Sequence, residues 1–152
     1  MSDKTIPQTK RQYWINVKNV DNRLVIFFDG ETIWDSGIIR DDPAIDKYIE
    51  ITDMLSAEPD CSHELIFEGF NNPYTDHDRD EDLNPWHFNY RLFKRTVSSD
   101  GKVVSEADMI RPYDEKHLSN PHIRAINNCY RIALREDEYK VVTNTLSQQF
   151  FN

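Results

Sequence analysis

The chain has 152 residues and carries 27 acidic against 18 basic side chains, a net charge of −9. This length is typical of one domain and argues against a large multidomain enzyme. The acidic balance argues against a general nucleic-acid-binding protein, because phosphate binding needs a basic surface.

The N-terminal residues 1–11 are polar, contain Pro7 and lack the apolar stretch of a signal peptide, so we expect a flexible arm. Residues 12–152 are expected to form a single β-sandwich domain. Apolar runs are far shorter than a bilayer-spanning helix, which predicts no membrane contact. Because Cys61 and Cys129 have neither metal-ligand nor disulfide-framework spacing, we expect reduced thiols in a soluble, cytoplasmic protein.

Short segments in which apolar and polar residues alternate with a period of two predict β-strands rather than helices. The clearest signal is a hairpin whose turn is Asp29-Gly30, because this dipeptide tolerates the positive φ that tight hairpins require. The predicted strands, in chain order, are residues 13–17, 24–28, 31–34, 48–52, 64–68, 88–92 and 130–135.

Seven or eight such strands, separated by turn residues, predict an all-β fold: a two-sheet antiparallel β-sandwich, jelly-roll-like in type. One or two short helices are expected, within residues 42–47, 114–117 or 121–127. The residues predicted to be mostly buried are Ile15, Val17, Leu24, Ile26, Phe28, Ile49, Ile51, Leu65, Phe67, Phe88, Tyr90, Leu92, Tyr130, Ile132 and Leu134.

Three consecutive segments, residues 24–34, 48–55 and 63–71, resemble the galactose-binding-like jelly-roll modules that are attached to many glycoside hydrolases. The shared features are a strand with a Gly-containing turn, a later strand ending in Thr-Asp-Met-Leu, and a Gly-Phe-Asn turn after a third strand. Residues 57–62 depart from the family's usual turn. The resemblance implies a sandwich fold. Because modules of this family bind sugars, nucleic acids or proteins, and some only pack against a neighbouring domain, the fold does not fix the function.

The acidity is concentrated in one segment, residues 41–82. It holds 14 acidic and two basic residues, a balance of −12, which leaves 16 basic and 13 acidic residues, or +3, elsewhere. Such a segment is either a solvated face or a field that attracts a basic partner. The residues predicted to face such a partner are Glu50, Glu64, Glu68, Asp80 and Asp82.

The longest polar interruption, residues 71–86, is the first place to look for a site, because loops of this length are usually functional or disordered. Asp76, Asp78 and Asp80 have the alternating spacing with which a turn directs several oxygens at one Ca²⁺. Glu81 stands where an EF-hand needs glycine, so only an irregular calcium site is compatible with the sequence. Otherwise no cofactor is expected.

Aromatic rings beside amides predict a carbohydrate site near this loop. Rings stack on the apolar face of a pyranose, and amides pair with its hydroxyl groups. Trp14 lies on the opposite side of its strand from Tyr13 and Ile15, so it belongs either to a second apolar face or to an interface. The predicted ligand-binding residues are Trp34, Asn71, Asn72, Tyr74, Asn84 and Trp86.

The sequence contains no nucleophile elbow, phosphate loop or zinc helix, so we expect a protein that is not an enzyme and has no catalytic residues. Two functions remain open. One is a non-catalytic, carbohydrate-recognising module that binds through loops at one end of the sandwich. The other is a cytoplasmic acidic partner, such as an immunity protein or inhibitor, that neutralises a basic toxin or enzyme. The sequence leaves the oligomeric state open.

Overall fold

A computed structural model describes residues 8–39, 45–71, 86–118, 123–135 and 138–150. Over these residues the chain is almost entirely β-structure, with nine strands and one short helix. Their bounds are β1 Thr9–Asp21, β2 Arg23–Phe28, β3 Glu31–Asp35, β4 Asp46–Glu50, α1 Thr52–Ser56, β5 Ser62–Phe70, β6 Trp86–Ser98, β7 Val103–Leu118, β8 Ile123–Arg135 and β9 Glu138–Phe150.

The strands form two sheets. One has four strands in the order β4-β1-β6-β7, and the other has five in the order β3-β2-β5-β8-β9. Every neighbouring pair is antiparallel. One buried hydrophobic cluster draws its residues from both sheets. The predicted all-β class and two-sheet antiparallel sandwich are therefore confirmed.

The core consists of the side chains that point inward from alternate positions of the strands. Of the fifteen residues predicted to be buried, fourteen are buried, and Ile49 is partly buried against the same cluster. Val20, Leu55 and Ile126 are further fully buried members. The alternation of apolar residues in the sequence thus locates most of the core correctly.

Aromatic rings join the two sheets at the centre of the core. Phe67 on β5 stacks on Tyr90 of β6, with centroids 3.7 Å apart and planes 2° from parallel. The Asn128 amide donates to the Tyr90 hydroxyl at 2.8 Å, and the Tyr130 hydroxyl lies 2.8 Å from the same oxygen. Burial, with Tyr130 as a neighbour, raises the pKa of Tyr90 far above its usual range, so this phenol stays neutral.

Gly69 on β5 is required by the same packing. A Cβ atom at this position would overlap the ring of Phe88, meeting its Cε1, Cδ1 and Cζ atoms. Phe88 is 1% exposed and lies between the sheets, so it has little room to move. A glycine therefore lets the Phe88 ring pack directly against the β5 backbone.

The predicted hairpin of residues 24–34 is present as β2 and β3. Asp29 and Gly30 both have positive φ, 48° and 84°, as a two-residue turn of this kind requires. At the end of the hairpin opposite the turn, Arg23 and Asp35 pair through two contacts, Nε to Oδ1 at 2.9 Å and Nη2 to Oδ2 at 2.5 Å. The hydrogen bond from Arg23 lowers the pKa of Asp35.

The expectation of one or two short helices is confirmed, but the predicted helix positions were wrong wherever the structure describes them. Residues 114–117 lie in β7, residues 123–127 lie in β8, and residues 46–47 open β4. The described helix, α1, instead occupies Thr52–Ser56, and it buries Leu55 against the core. Strand β1 begins at Thr9, inside the stretch predicted as an arm, and residues 1–7 lie outside the described residues.

Candidate functional site

The sequence-predicted sugar residues do not assemble into a described site. Trp34 is partly buried and packs against the core, and Asn71 is 4% exposed. Trp86 opens β6, with its backbone opposite Leu118. The remaining predicted residues, Asn72, Tyr74 and Asn84, lie outside the described residues.

The predicted calcium ligands Asp76, Asp78 and Asp80 also lie outside the described residues. Within the described ranges, no group of three histidine, cysteine or acidic side chains is arranged to hold a metal ion. The calcium site therefore stays a prediction.

The acidic residues predicted to share one patch are divided between the two sheets. Glu50 on β4 lies opposite Trp14 on the four-stranded sheet, whereas Glu64 and Glu68 lie on β5 of the five-stranded sheet. Arg131 is the cross-strand partner of Glu64. The structure therefore does not bring these three carboxylates together, and Asp80 and Asp82 are outside the described residues.

The outer face of the four-stranded sheet carries an unusual set of side chains. Trp14 of β1 lies directly opposite Phe93 of β6, and the next pair, Ile15 and Leu92, is fully buried in the core. Because successive side chains point to opposite faces of a sheet, Trp14 and Phe93 project from the outer side. Tyr48 of β4, which is 42% exposed, lies on the same side.

Two guanidinium groups lie over two of these rings, Phe93 and Trp14. The Cζ atom of Arg91 lies 4.2 Å from the centroid of Phe93, and that of Arg95 lies 5.3 Å from it. Arg95 also stands 5.6 Å from the Trp14 ring, while Tyr48 meets Phe93 edge-on at 6.4 Å. Phe93 is fully buried as a result, although it is on the outside of the sheet. We refer to these five residues together as the outer aromatic face: Trp14, Tyr48, Arg91, Phe93 and Arg95.

Carboxylates on β7 hold the two arginines in place. Arg91 Nη1 lies 3.2 Å from Glu106 Oε1 and 3.2 Å from Asp108 Oδ1, and Arg95 Nη2 lies 3.3 Å from Glu106 Oε2. All four side chains are partly exposed, so these pairs orient the guanidinium groups more than they stabilise the fold. The Phe93 ring and one side of the Trp14 ring are thus covered by positioned cations.

A cavity of about 350 Å³ adjoins the outer aromatic face where the β6–β7 ladder is irregular. Arg91 of β6 faces two residues of β7, Arg111 and Pro112, between regular pairs on either side. This is a β-bulge, and Pro112 has no N–H group with which to continue the ladder. Side chains from three strands surround the opening; those used below are Asn16, Lys18, Asn89, Arg91, Pro112 and Asp114.

Asn16 is held rigidly at the wall of this cavity. It is 3% exposed, and its Nδ2 atom donates to Asp46 Oδ1 at 2.8 Å and to the Lys47 carbonyl at 3.1 Å. Both N–H bonds are directed towards β4, so the amide has one fixed orientation.

The cavity carries groups that bind polar ligands, because amides, cations and a carboxylate line it. Arg91 belongs to both parts, because it lines the cavity and covers Phe93. The two parts are therefore one continuous surface on the four-stranded sheet.

Sequence reasoning identified only one residue of this surface, Trp14, from its position on the outward side of β1. Arg91, Phe93 and Arg95 were not predicted as site residues. Their spacing of two nevertheless indicates that they share one face of a strand. Phe93 follows the inward-facing Leu92 directly, which shows that β6 has an apolar residue on each face.

Comparison of the chain with family models, with curated proteins and with solved structures finds no match. None of the helices in the described ranges combines the length and the apolar character needed to cross a bilayer.

Proposed function

We propose that the chain is a non-catalytic binding module that holds a carbohydrate against the outer face of its four-stranded sheet. The observation that supports this proposal is the junction at Arg91 between a polar cavity and a group of aromatic rings. Sugars present both hydroxyl groups and a flat apolar face, so their sites combine these two kinds of surface.

The cavity supplies groups for the hydroxyls. Asn16, whose N–H groups both bond to β4, can accept through its carbonyl oxygen, and Asn89 can donate and accept. Lys18 and Arg91 donate, and Asp114 accepts. Its volume of about 350 Å³ is at the small end of the range of ligand pockets, which favours one or two sugar rings over a long chain.

The outer aromatic face supplies the apolar contact. Tyr48 and Trp14 retain exposed ring surface, and Arg95 fixes the Trp14 ring from one side. A pyranose ring bound in the cavity would extend towards these rings, with its hydroxyls on the amides and its C–H face on an aromatic plane.

The test is a titration of the ¹⁵N-labelled protein with a panel of mono- and disaccharides, followed by NMR. We expect shifts in the amides of Asn89, Arg91 and Asp114 for at least one sugar. Asn89→Ala should weaken that binding about tenfold or more. The matched control is Asn127→Ala, which removes an amide from β8 of the other sheet and should leave the affinity unchanged.

Three results would count against the proposal: no shifts with any sugar, equal losses in Asn89→Ala and the control, or shifts confined to the five-stranded sheet. If Tyr74→Ala and Trp86→Ala abolish binding while Asn89→Ala does not, the sugar binds at the loop predicted from the sequence instead.

A further inference from the structure

His63 is a histidine buried at one end of the five-stranded sheet. It lies near the start of β5, its side chain is 3% exposed, and its ring stacks on Phe28 with centroids 5.1 Å apart. Its cross-strand neighbour on β8 is the apolar residue Ile132. A titratable ring is therefore buried beside apolar groups.

Both ring nitrogens of His63 face oxygen atoms that accept hydrogen bonds. Nδ1 lies 2.7 Å from Asp29 Oδ2, and Nε2 lies 3.0 Å from the carbonyl oxygen of Glu58. A neutral imidazole has only one N–H and would leave the other nitrogen's lone pair directed at an oxygen. Only the imidazolium ion donates to both oxygens at once.

The charged groups that act on the ring, among the described residues, are both acidic. Asp29 faces it from the β2–β3 turn and Glu58 from the segment after α1, while Glu64 points to the other side of β5. Burial disfavours the charged ring, but the hydrogen bonds to Asp29 and Glu58 outweigh it, so the pKa of His63 is raised. Burial likewise opposes ionisation of Asp29, but the bond to His63 lowers its pKa overall.

These contacts join two segments that are distant in sequence. Asp29 also accepts from the Glu64 amide through Oδ1 at 2.8 Å, and its own amide donates to the Glu64 carbonyl at 2.8 Å. The Glu58 carbonyl accepts a second bond from the Cys61 amide at 3.1 Å. Through His63, the hairpin turn and residues 57–61 are held against the same strand.

We propose that His63 is a pH-sensitive latch, closed as the imidazolium ion and opened at the Glu58 side when the ring loses its proton. The charge-assisted bond to Asp29 is the stronger of the two, so the neutral ring keeps its proton on Nδ1. Nε2 then faces the Glu58 carbonyl without a proton, and residues 57–61 are released. The stabilisation is complete below the unfolded-state pKa of 6.5 and is lost as pH rises through the raised folded-state value.

The test begins with the unmodified protein, so it does not depend on a variant that folds. Ring ¹⁵N spectra should show protons on both nitrogens of His63 at pH 6, and titration should give a pKa above 6.5. The amides of Ala57 and Cys61 donate to the carbonyls of Asp53 and Glu58. Their protection factors, which are corrected for base-catalysed exchange, should fall as His63 titrates, while those at the centre of β6 stay constant.

Asp29→Asn provides the discriminating variant, because it keeps a hydrogen-bonding group at the turn and removes the charge. It should lower the pKa of His63 and move the loss of protection to lower pH. His87→Gln, which changes a histidine of the other sheet, should alter neither. A single ring proton at pH 6, a pKa below 6.5, or protection at 57–61 that ignores the titration would overturn the proposal.

Discussion

The two sides of the four-stranded sheet bury aromatic rings in different ways. On the inner side, Tyr90 stacks on Phe67 of the opposite sheet, whereas on the outer side Phe93 is covered by Arg91 and Arg95. Phe67 and Phe93 are equally buried, with no exposed surface. Their surroundings differ, because rings held between two sheets are fixed by the fold, while rings under guanidinium groups are fixed by side chains that can move. Burial alone therefore does not distinguish a core ring from a ring of the proposed binding surface.

The largest expected effect follows from removing an inner ring. Phe67→Ala should lower the free energy of unfolding by about 3–5 kcal/mol, because the two sheets cannot collapse into the space left by the ring. Phe93→Ala should cost clearly less, since the long stems of Arg91 and Arg95 can settle over the gap. Denaturant-induced unfolding of both variants measures the difference, and equal losses would mean that the outer ring is as much a part of the core as the inner one.

An intermediate loss of stability is expected when a methyl group is added between the two sheets. Gly69→Ala should destabilise the protein by roughly 1–3 kcal/mol, because the new methyl group displaces the Phe88 ring. Phe88→Leu in the same chain should recover part of this loss by removing the clashing ring atoms. A double-mutant cycle on unfolding free energies measures the coupling. Additive losses would show that Phe88 moves aside freely.

The smallest effect on stability is expected on the outer side. Arg95→Ala removes the contacts with Phe93 and Trp14 and a partly exposed pair with Glu106, which together should contribute about 1 kcal/mol or less. Thermal unfolding at low and high salt checks this value, and a salt-independent loss of several kcal/mol would contradict it. The contrast with Phe67→Ala then separates the residues that stabilise the fold from those of the proposed binding surface.

Much of the fold was predictable because short sequence patterns determine the strands and their turns. Alternation with a period of two located the inward residues, and Asp29-Gly30 located the β2–β3 turn. Strand β7 was missed because most of its described side chains are exposed, so no alternation marks it, and because Pro112 lies inside it. Helix α1 was missed because a single turn, with Ile51 and Leu55 as its buried pair, is too short to show a helical period.

The candidate site was less predictable because it depends on pairing between distant parts of the chain. The register that places Trp14 opposite Phe93, and Gln12 opposite Arg95, joins residues about eighty positions apart. The cavity depends on a bulge at Pro112, which follows from how β6 and β7 pair and not from either strand alone. The latch likewise depends on two residues that both contact His63 on β5: Asp29 in the β2–β3 turn and Glu58 after α1.

The irregular pairing of β7 also affects how this chain can meet other copies of itself. β7 is an edge strand, and its ladder with β6 is interrupted in four places. The longest uninterrupted pairing of β7 with β6 extends from Ser105 to Asp108, and it includes the acidic residues Glu106 and Asp108. If the same edge of a second copy paired with this strand, only a short stretch of regular backbone would be available for hydrogen bonds. The acidic side chains of the two copies would also be brought close together. Sheet edges built in this way resist strand-to-strand aggregation, so the bulge that opens the cavity also helps to keep the sheet from growing.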